Sequence, residues 1–330
     1  MKVNKLVIGA FALVGFLVIL FLAQSFLSSS AVEGGLPNSY EELTDSSYRD
    51  FVKDNYSVYA IEIPNNASFA NEVVPVTNTD VKERLERELH VNTYWHSQTF
   101  LFHKRAGRWF PIIEPILKEN GVPDDFKYLC VIESGLDNVV SPAGASGFWQ
   151  FMKKTGLGYN LEITADVDER YNLEKATQAA CKYLKEAHEK FGNWTSAAAS
   201  YNMGKGGLNK RLTNQKVSSY YDLHLNNETS RYLMRIIAAK YILSEPQYFG
   251  FRLRAEDIYR PYETKEIEVD STVINLVDFA HKNKISYRTL KVLNPWLRSS
   301  KLTITEGTSY QIKIPTSGFE FSGKIKETNE

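Results

Sequence analysis

The sequence contains few of the residues from which metal centres and charged binding surfaces are built. It has only two cysteines, Cys130 and Cys181, in 330 residues, and its six histidines show no HExxH motif or paired-ligand spacing. A metal site is therefore not expected. Lysine plus arginine and aspartate plus glutamate are balanced at 39 each, so no overall charge favours a nucleic acid or an acidic polymer as a partner. We expect no metal ion, no cofactor and no nucleic-acid partner.

The N-terminus contains a long stretch without charge. A basic start, Met1 to Lys5, precedes an uncharged segment from Leu6 to Ala23 that is long enough for a helix to span a bilayer. We therefore predict an uncleaved membrane anchor over residues 1–27, with the bulk of the protein outside the cytoplasm. The alternative is a cleaved signal peptide, for which residues 29–31 offer a small-residue site. In an oxidising compartment the two cysteines either pair or remain separate buried thiols.

The rest of the chain divides into segments of different texture. Residues 28–80 are rich in serine, asparagine and proline, which predicts a stalk. Residues 81–255 show helical spacing of apolar side chains and predict an all-α domain, with a helix break near Gly107 and a helix end at Gly121. Residues 262–316 change to a βααβ pattern and predict a small second domain. A polar tail follows over residues 317–330.

One glutamate stands out because its helix places it with apolar residues. Phe126, Leu129, Cys130 and Glu133 fall at i, i+3, i+4 and i+7 of a helix that opens at Pro123. An unpaired carboxyl on an apolar face loses hydration in its charged form, so its pKa is expected to rise towards that of a general acid. The ordinary alternative is a helix-end glutamate satisfied by a backbone amide or an arginine.

Two further segments contain residue types suited to holding a sugar. The glycine- and alanine-rich loop SPAGASG precedes Phe148 to Met152, which offers aromatic rings and the amide of Gln150. The loop lacks the Gly-Lys-Ser/Thr ending of a phosphate-binding P-loop. Further along, a narrow helix delivers Tyr201 and Asn202 just before a glycine-rich stretch. From the residues alone, Asn202 either binds a substrate amide or caps its helix.

In order and spacing, the segments ESGL, SPAGASGFWQFM and SYNMGKG resemble the lysozyme-like catalytic domain of the lytic transglycosylases of the SLT family, closest to their membrane-bound D type. The resemblance covers about residues 81–244. It implies a mainly α fold, with a lysozyme-like helical catalytic domain over residues 81–255. In this family the glutamate of the Glu-Ser pair is the catalytic acid and base, which corresponds to Glu133.

The other site residues follow from the same motifs. Phe148 and Ser200 replace the usual leucine and alanine of the family, and Met203 and Lys205 stand where it often has alanine and proline. By motif position, the residues implied to bind substrate are Ser134, Gln150, Met152, Tyr201, Asn202 and Tyr232.

The C-terminal segment resembles a LysM module, a βααβ glycan-binding unit. Leu276 to Ala280 fits its first helix, Thr289 to Pro295 its second, and Ile312 to Pro315 its closing strand. The usual Gly-Asp-Thr-Leu opening is absent, so both glycan binding and a purely structural role remain open for this domain.

The resemblance implies a peptidoglycan lytic transglycosylase that cleaves the β-1,4 bond between N-acetylmuramic acid and N-acetylglucosamine without water. The products would be 1,6-anhydromuramoyl sugars, with Glu133 acting first as acid and then as base. The expected partners are peptidoglycan glycan strands and, through the N-terminal helix, the inner membrane, with the catalytic domain in the periplasm. A cleaved signal peptide would leave the protein free in the periplasm or elsewhere in the envelope. Two alternatives are a goose-type muramidase that uses water and a non-catalytic wall-binding protein.

Overall fold

Helices make up about half of the residues that the computed structural model describes, which are residue 50 and residues 58–320. Two short strands come first, β1 (Ser68–Phe69) and β2 (Glu72–Val73). The helices that follow are α1 (Thr79–Tyr94), α2 (His96–Glu119), α3 (Lys127–Ser134), α4 (Lys153–Gly158), α5 (Leu173–Phe191), α6 (Trp194–Met203), α7 (Lys205–Gln215) and α8 (Asn227–Ser244). The C-terminal elements are β3 (Thr264–Val269), α9 (Leu276–Lys282), α10 (Tyr287–Leu293) and β4 (Tyr310–Pro315). The expected mainly helical architecture with a small βααβ unit is confirmed.

Asparagine side chains cap the N-termini of four of the larger helices. Asn78, Asn172, Asn193 and Asn226 each accept a hydrogen bond from a backbone N–H in the first turn, of α1, α5, α6 and α8 respectively. Such capping replaces the intrahelical partners that the first N–H groups lack. Local sequence therefore fixes where these helices begin.

Helix α8 lies at the centre of the larger hydrophobic core. It packs against α1, α3 and α6, and its buried side chains include Leu233, Ile236 and Ile237. Because α3 and α6 both contact α8, residues that are far apart in sequence meet along its surface. This packing brings together the segments that contain Glu133, Asn202 and Tyr232.

The prediction of a helix break near Gly107 was wrong. Helix α2 runs unbroken through this position, and the break falls at Trp95 instead. A Cβ atom at Gly107 would overlap the side chain of Ile258, which belongs to the connection between α8 and β3. The glycine therefore permits close packing rather than a bend.

The stalk predicted for residues 28–80 cannot extend through its last twenty or so residues. Ile61, Phe69 and Val74 are buried in the main core, and the ring of Phe69 lies 5.2 Å from that of Phe126. These apolar residues lie in a segment that is rich in serine, asparagine and proline, so its overall composition concealed their burial. Any stalk ends before Ile61.

The C-terminal βααβ unit has its own core. Strands β3 and β4 pair antiparallel, with Ile267 opposite Ile312, and Leu276, Leu290 and Leu302 are fully buried beneath them. Two residues from the preceding helical region, Val167 and Tyr171, belong to the same cluster. The two regions therefore share apolar packing as well as a chain connection.

The two cysteines are separate buried thiols in this structure, which decides between the alternatives left open above. The predicted membrane anchor lies outside the described residues. Among the described residues, no helix is both long and apolar enough to cross a bilayer.

Candidate active site

Glu133 occupies the last turn of α3, two residues before Gly135. Gly135 adopts a left-handed conformation (φ 64°) and ends the helix. The preceding residues of the helix, including Leu129 and Cys130, are fully buried, and the Glu133 side chain is half-buried. A carboxylate at a helix C-terminus also faces the negative end of the helix dipole. The sequence-based prediction of an acid on the apolar face agrees with this placement.

The hydrogen-bond partner of Glu133 comes from α8. The buried Tyr232 hydroxyl donates a hydrogen bond to the Glu133 carboxylate. Three residues further along the same face of α8, the Arg235 guanidinium donates to the Ile132 carbonyl oxygen at 3.1 Å. The tyrosine and the arginine thus hold the end of α3 from one side.

These surroundings place the Glu133 pKa near neutrality. Burial raises the pKa from 4.5 to about 7, while the Tyr232 hydrogen bond and the positive charge of Arg235 oppose that rise. The like charge of Glu228 adds a smaller upward effect. A group with a pKa close to the working pH can both deliver and accept a proton.

The loop after Glu133 folds back on itself through backbone bridges. Ser146 pairs with Val140 on one side and with Phe151 on the other. Gln150 has a left-handed backbone (φ 48°), and its amide nitrogen donates to the carbonyl oxygens of Val139 (3.0 Å) and Gly147 (2.7 Å). The side-chain amide of Gln150, which was predicted to bind substrate, therefore stabilises the conformation of this loop.

The aromatic residues of this segment do not form the exposed surface that the sequence suggested. Phe148, Trp149 and Phe151 are at most 3 % exposed, and the Trp149 indole N–H donates to the Thr177 hydroxyl at 2.9 Å. Met152, in contrast, is 45 % exposed. Of this run, Met152 offers apolar surface to a ligand, and the rings belong to the core.

Helix α6 contributes Tyr201 and Asn202. The Tyr201 hydroxyl donates to the Trp149 carbonyl oxygen at 2.8 Å, and burial together with the nearby Glu133 charge raises the pKa of this tyrosine well above its usual value. Asn202 is half-buried and does not cap its helix, since α6 continues to Met203 and ends at Gly204. The capping alternative for Asn202 was therefore wrong.

Ser134 and Asp137 are the nearest polar neighbours of Glu133 in the sequence, and both are engaged elsewhere. The Ser134 hydroxyl donates to the Cys130 carbonyl oxygen of its own helix at 3.2 Å. The Asp137 carboxylate is 53 % exposed and forms an ion pair with Arg105 at 2.9 Å. Neither residue hydrogen-bonds to Glu133.

Sequence reasoning missed Arg235 and the buried pair Asp168 and Arg170. Arg235 lies three residues after Tyr232, so it occupies the same helix face, and that spacing was a usable signal. The pair lies in an irregular segment without periodicity, and no local pattern points to it. Among the described residues, no group of three or more histidine, cysteine, aspartate or glutamate side chains is arranged to hold a metal ion.

Two segments of the chain match known protein families. Residues 110–223 match the transglycosylase SLT domain, and residues 265–318 match the soluble lytic transglycosylase C-terminal LysM-like domain. The first match contains Glu133, Gln150 and Asn202, and the second contains the βααβ unit. The chain thus has an SLT transglycosylase domain followed by a LysM-like C-terminal domain.

The individual proteins that resemble this chain have low sequence identity to it. The membrane-bound lytic murein transglycosylase D of Escherichia coli strain K12 is 27% identical over 231 residues, which is 68% of this chain and 50% of that protein. The protein of the same name from E. coli O6:H1 gives the same values. The chain therefore spans half the length of these curated relatives. An X-ray structure of an inactive mutant of lytic transglycosylase Slt from Pseudomonas aeruginosa has a TM-score of 0.33 and 18% identity, and covers 46% of this chain and 26% of that one.

Proposed function

We propose that the protein is a peptidoglycan lytic transglycosylase in which Glu133 is the catalytic residue. The observation that carries the proposal is a half-buried carboxyl with a pKa of about 7, held by a buried tyrosine hydroxyl, inside an SLT domain. The substrate is the β-1,4 bond between N-acetylmuramic acid and N-acetylglucosamine. The names of the distant relatives are consistent with this activity.

One acid is sufficient for this reaction. Glycoside hydrolases usually employ two carboxyl groups on either side of the bond, whereas here Asp137 is turned to Arg105. In the proposed first step, protonated Glu133 donates its proton to the glycosidic oxygen, the bond to the muramic acid C1 breaks, and the N-acetyl group of the substrate stabilises the cationic centre. In the second step, the Glu133 carboxylate takes the proton of the C6 hydroxyl while the C6 oxygen bonds to C1. The product is a 1,6-anhydro sugar, and no water is consumed.

The surrounding residues are proposed to orient the sugar and the acid. Tyr232 stabilises the carboxylate form of Glu133 in the second step, because its hydroxyl donates to that group. Asn202 has no hydrogen bond from its side chain to any other described residue, so its amide is suited to the substrate acetamido group. Tyr201 and Gln150 shape the sugar sites through their backbone contacts.

Ser134 and Met152 are proposed to play smaller parts. The Ser134 hydroxyl donates to a carbonyl oxygen of its own helix, which leaves its oxygen as an acceptor beside the acid. Met152 offers exposed apolar surface next to the loop. Both residues would contact substrate without taking part in proton transfer.

For the whole chain we propose an anchor over residues 1–27, a stalk that ends before Ile61, a catalytic domain up to about residue 255 and a LysM-like domain over residues 262–316, followed by a polar tail. The anchor would hold the catalytic domain in the periplasm at the inner membrane. A cleaved signal peptide remains the alternative for this segment.

The proposal is tested by mass spectrometry of peptidoglycan digests. The soluble protein should begin at residue 58, because the burial of Ile61, Phe69 and Val74 shows that a start at residue 81 would remove part of the core. We expect muropeptides one water lighter than hydrolytic products from the wild type and none from Glu133→Gln. Glu306→Gln, which changes an exposed glutamate of the second domain, should match the wild type.

The other outcomes decide against the proposal. Products that contain the added water would identify a muramidase. An absence of products from wild-type protein that still binds peptidoglycan would identify a wall-binding protein.

A further inference from the structure

The LysM-like domain packs against residues 162–171 of the catalytic domain, which we call the clamped segment, and its Lys313 also forms an ion pair with Glu174 just beyond that segment. Val167 and Tyr171 of this segment are buried in the core of the LysM-like domain, and the Arg298 guanidinium lies 4.0 Å from the centre of the Tyr171 ring. Val167 also forms a backbone bridge with Leu297. The clamped segment is thus packed as part of the second domain.

Polar contacts reinforce the same junction. The Asp168 N–H donates to the Trp296 carbonyl oxygen at 2.9 Å, and the Arg298 N–H donates to the Asp166 carbonyl oxygen at 2.7 Å. The Asp166 carboxylate accepts from the hydroxyls of Ser299 (2.8 Å) and Thr303 (2.7 Å). Backbone bonds of this kind fix the register of the two segments, as they do in a sheet.

Within the clamped segment, between Asp168 and Tyr171, the Arg170 side chain reaches the active-site loop. Its guanidinium is buried and donates to both oxygens of Asp168, at 3.0 and 2.7 Å. The remaining nitrogen, Nη1, donates to the carbonyl oxygens of Gly144 (3.0 Å) and Phe151 (3.1 Å). One side chain therefore ties the clamped segment to both ends of the loop that contains Gln150.

The loop itself requires such support. Gln150 has a left-handed backbone, which a residue with a side chain adopts only when its surroundings hold it there. At Gly147 an added Cβ would overlap the Arg170 carbonyl oxygen, so the loop backbone lies directly against the clamped segment. Separating the buried Arg170–Asp168 pair would leave an unpaired charge in a low dielectric, which is costly.

We propose that the LysM-like domain is a brace for the active-site loop, and that Arg170 is the positioning residue through which the brace acts. The domain holds the clamped segment, Asp168 orients Arg170, and Arg170 fixes the loop beside Glu133. The inference rests on the proposed function for its turnover readout, whereas its structural readout is independent of any activity.

The test compares two variants of the full-length protein with a matched control. Asp166→Ala removes the carboxylate that binds Ser299 and Thr303 across the junction, and Asp278→Ala removes an exposed carboxylate elsewhere in the LysM-like domain. Arg170→Lys keeps the charge but cannot contact two carbonyl oxygens and a carboxylate together, because an ammonium lacks the planar fork of a guanidinium. Thermal unfolding identifies the conditions under which each variant is folded.

Turnover is the first measurement. We expect Arg170→Lys to lower kcat by about 10- to 100-fold, the range that a small misplacement of the substrate site produces. Asp166→Ala should give a smaller loss in the same direction, and Asp278→Ala should match the wild type. The pH at which activity falls should not move in any variant, because Arg170 is not among the groups that set the Glu133 pKa.

Hydrogen exchange is the second measurement, and it needs no active enzyme. The N–H groups of Ser146, Gly147 and Gln150 are bonded within the loop, so a weakened brace should accelerate their exchange in both variants but not in the control. Unchanged exchange at these positions in folded Asp166→Ala would overturn the proposal, as would a loss confined to Arg170→Lys. If wild-type protein shows no turnover, the proposed function fails. The hydrogen-exchange rates alone then still test whether the LysM-like domain supports the loop.

Discussion

Replacing Glu133 by glutamine should stabilise the protein at neutral and alkaline pH. Folding raises the pKa of this carboxyl from 4.5 to about 7, chiefly through burial. Below pH 4.5 the carboxyl is protonated in both the folded and the unfolded protein and resembles glutamine. Between pH 4.5 and about 7 the carboxyl ionises in the unfolded chain while it stays protonated in the folded protein, so the wild type loses stability over this range, and the loss is complete above about pH 7.

The size of the effect follows from the pKa difference. Each pKa unit corresponds to about 1.4 kcal/mol, so the free energy of unfolding of Glu133→Gln should exceed that of the wild type by up to about 3 kcal/mol at pH 8. For a domain of this size, that difference raises the unfolding midpoint by about 5 to 10 °C. At pH 4 the two proteins should have equal stability.

Thermal unfolding of both proteins across pH 4 to 9 measures this difference. Glu306→Gln serves as the control, because its exposed carboxyl lies in the second domain. Comparing each variant with the wild type at the same pH cancels the titration of all other groups. A difference between Glu133→Gln and the wild type that stays constant with pH would refute the burial argument, and a difference that grows towards low pH would reverse its sign.

Two other substitutions test the local packing. Tyr232→Phe removes a hydrogen bond that lowers the Glu133 pKa, so the alkaline fall of kcat/KM should move to higher pH, and an unmoved profile would contradict this role. Gly107→Ala should destabilise the protein by about 1–3 kcal/mol, because its methyl group meets Ile258. Gly206 lies in open space near the start of α7, so Gly206→Ala should leave the free energy of unfolding unchanged or raise it slightly. A denaturant titration of both variants measures this quantity. Equal effects of the two alanines would show that the close contact at Gly107 has no energetic consequence.

Much of the helical framework could be predicted because its causes are local. The apolar spacing over residues 81–255 predicted an all-α domain, and α5, α6 and α8 lie within it. The βααβ order of the second domain was also correct. Helical periodicity and asparagine caps depend on neighbours within a few residues, so they can be read from the sequence.

Predictions failed where a distant segment set the outcome. Gly107 looked like a helix breaker, but it makes room for Ile258. The residues near Phe69 looked like a stalk, but Phe126 packs against them. The rings after Gly147 looked like a sugar platform, but they fill the core. In the last two cases, composition alone does not distinguish a buried apolar residue from an exposed one.

The sequence by itself determined the position of the candidate acid, the motifs around it and the helices that present them. Only the tertiary structure decided its chemistry. The hydroxyl that holds Glu133 belongs to Tyr232, 99 residues away, and the desolvation that raises its pKa comes from several helices packed together. Hydrogen bonds and burial between distant residues depend on how whole elements pack, and that information is not local to any segment of the chain.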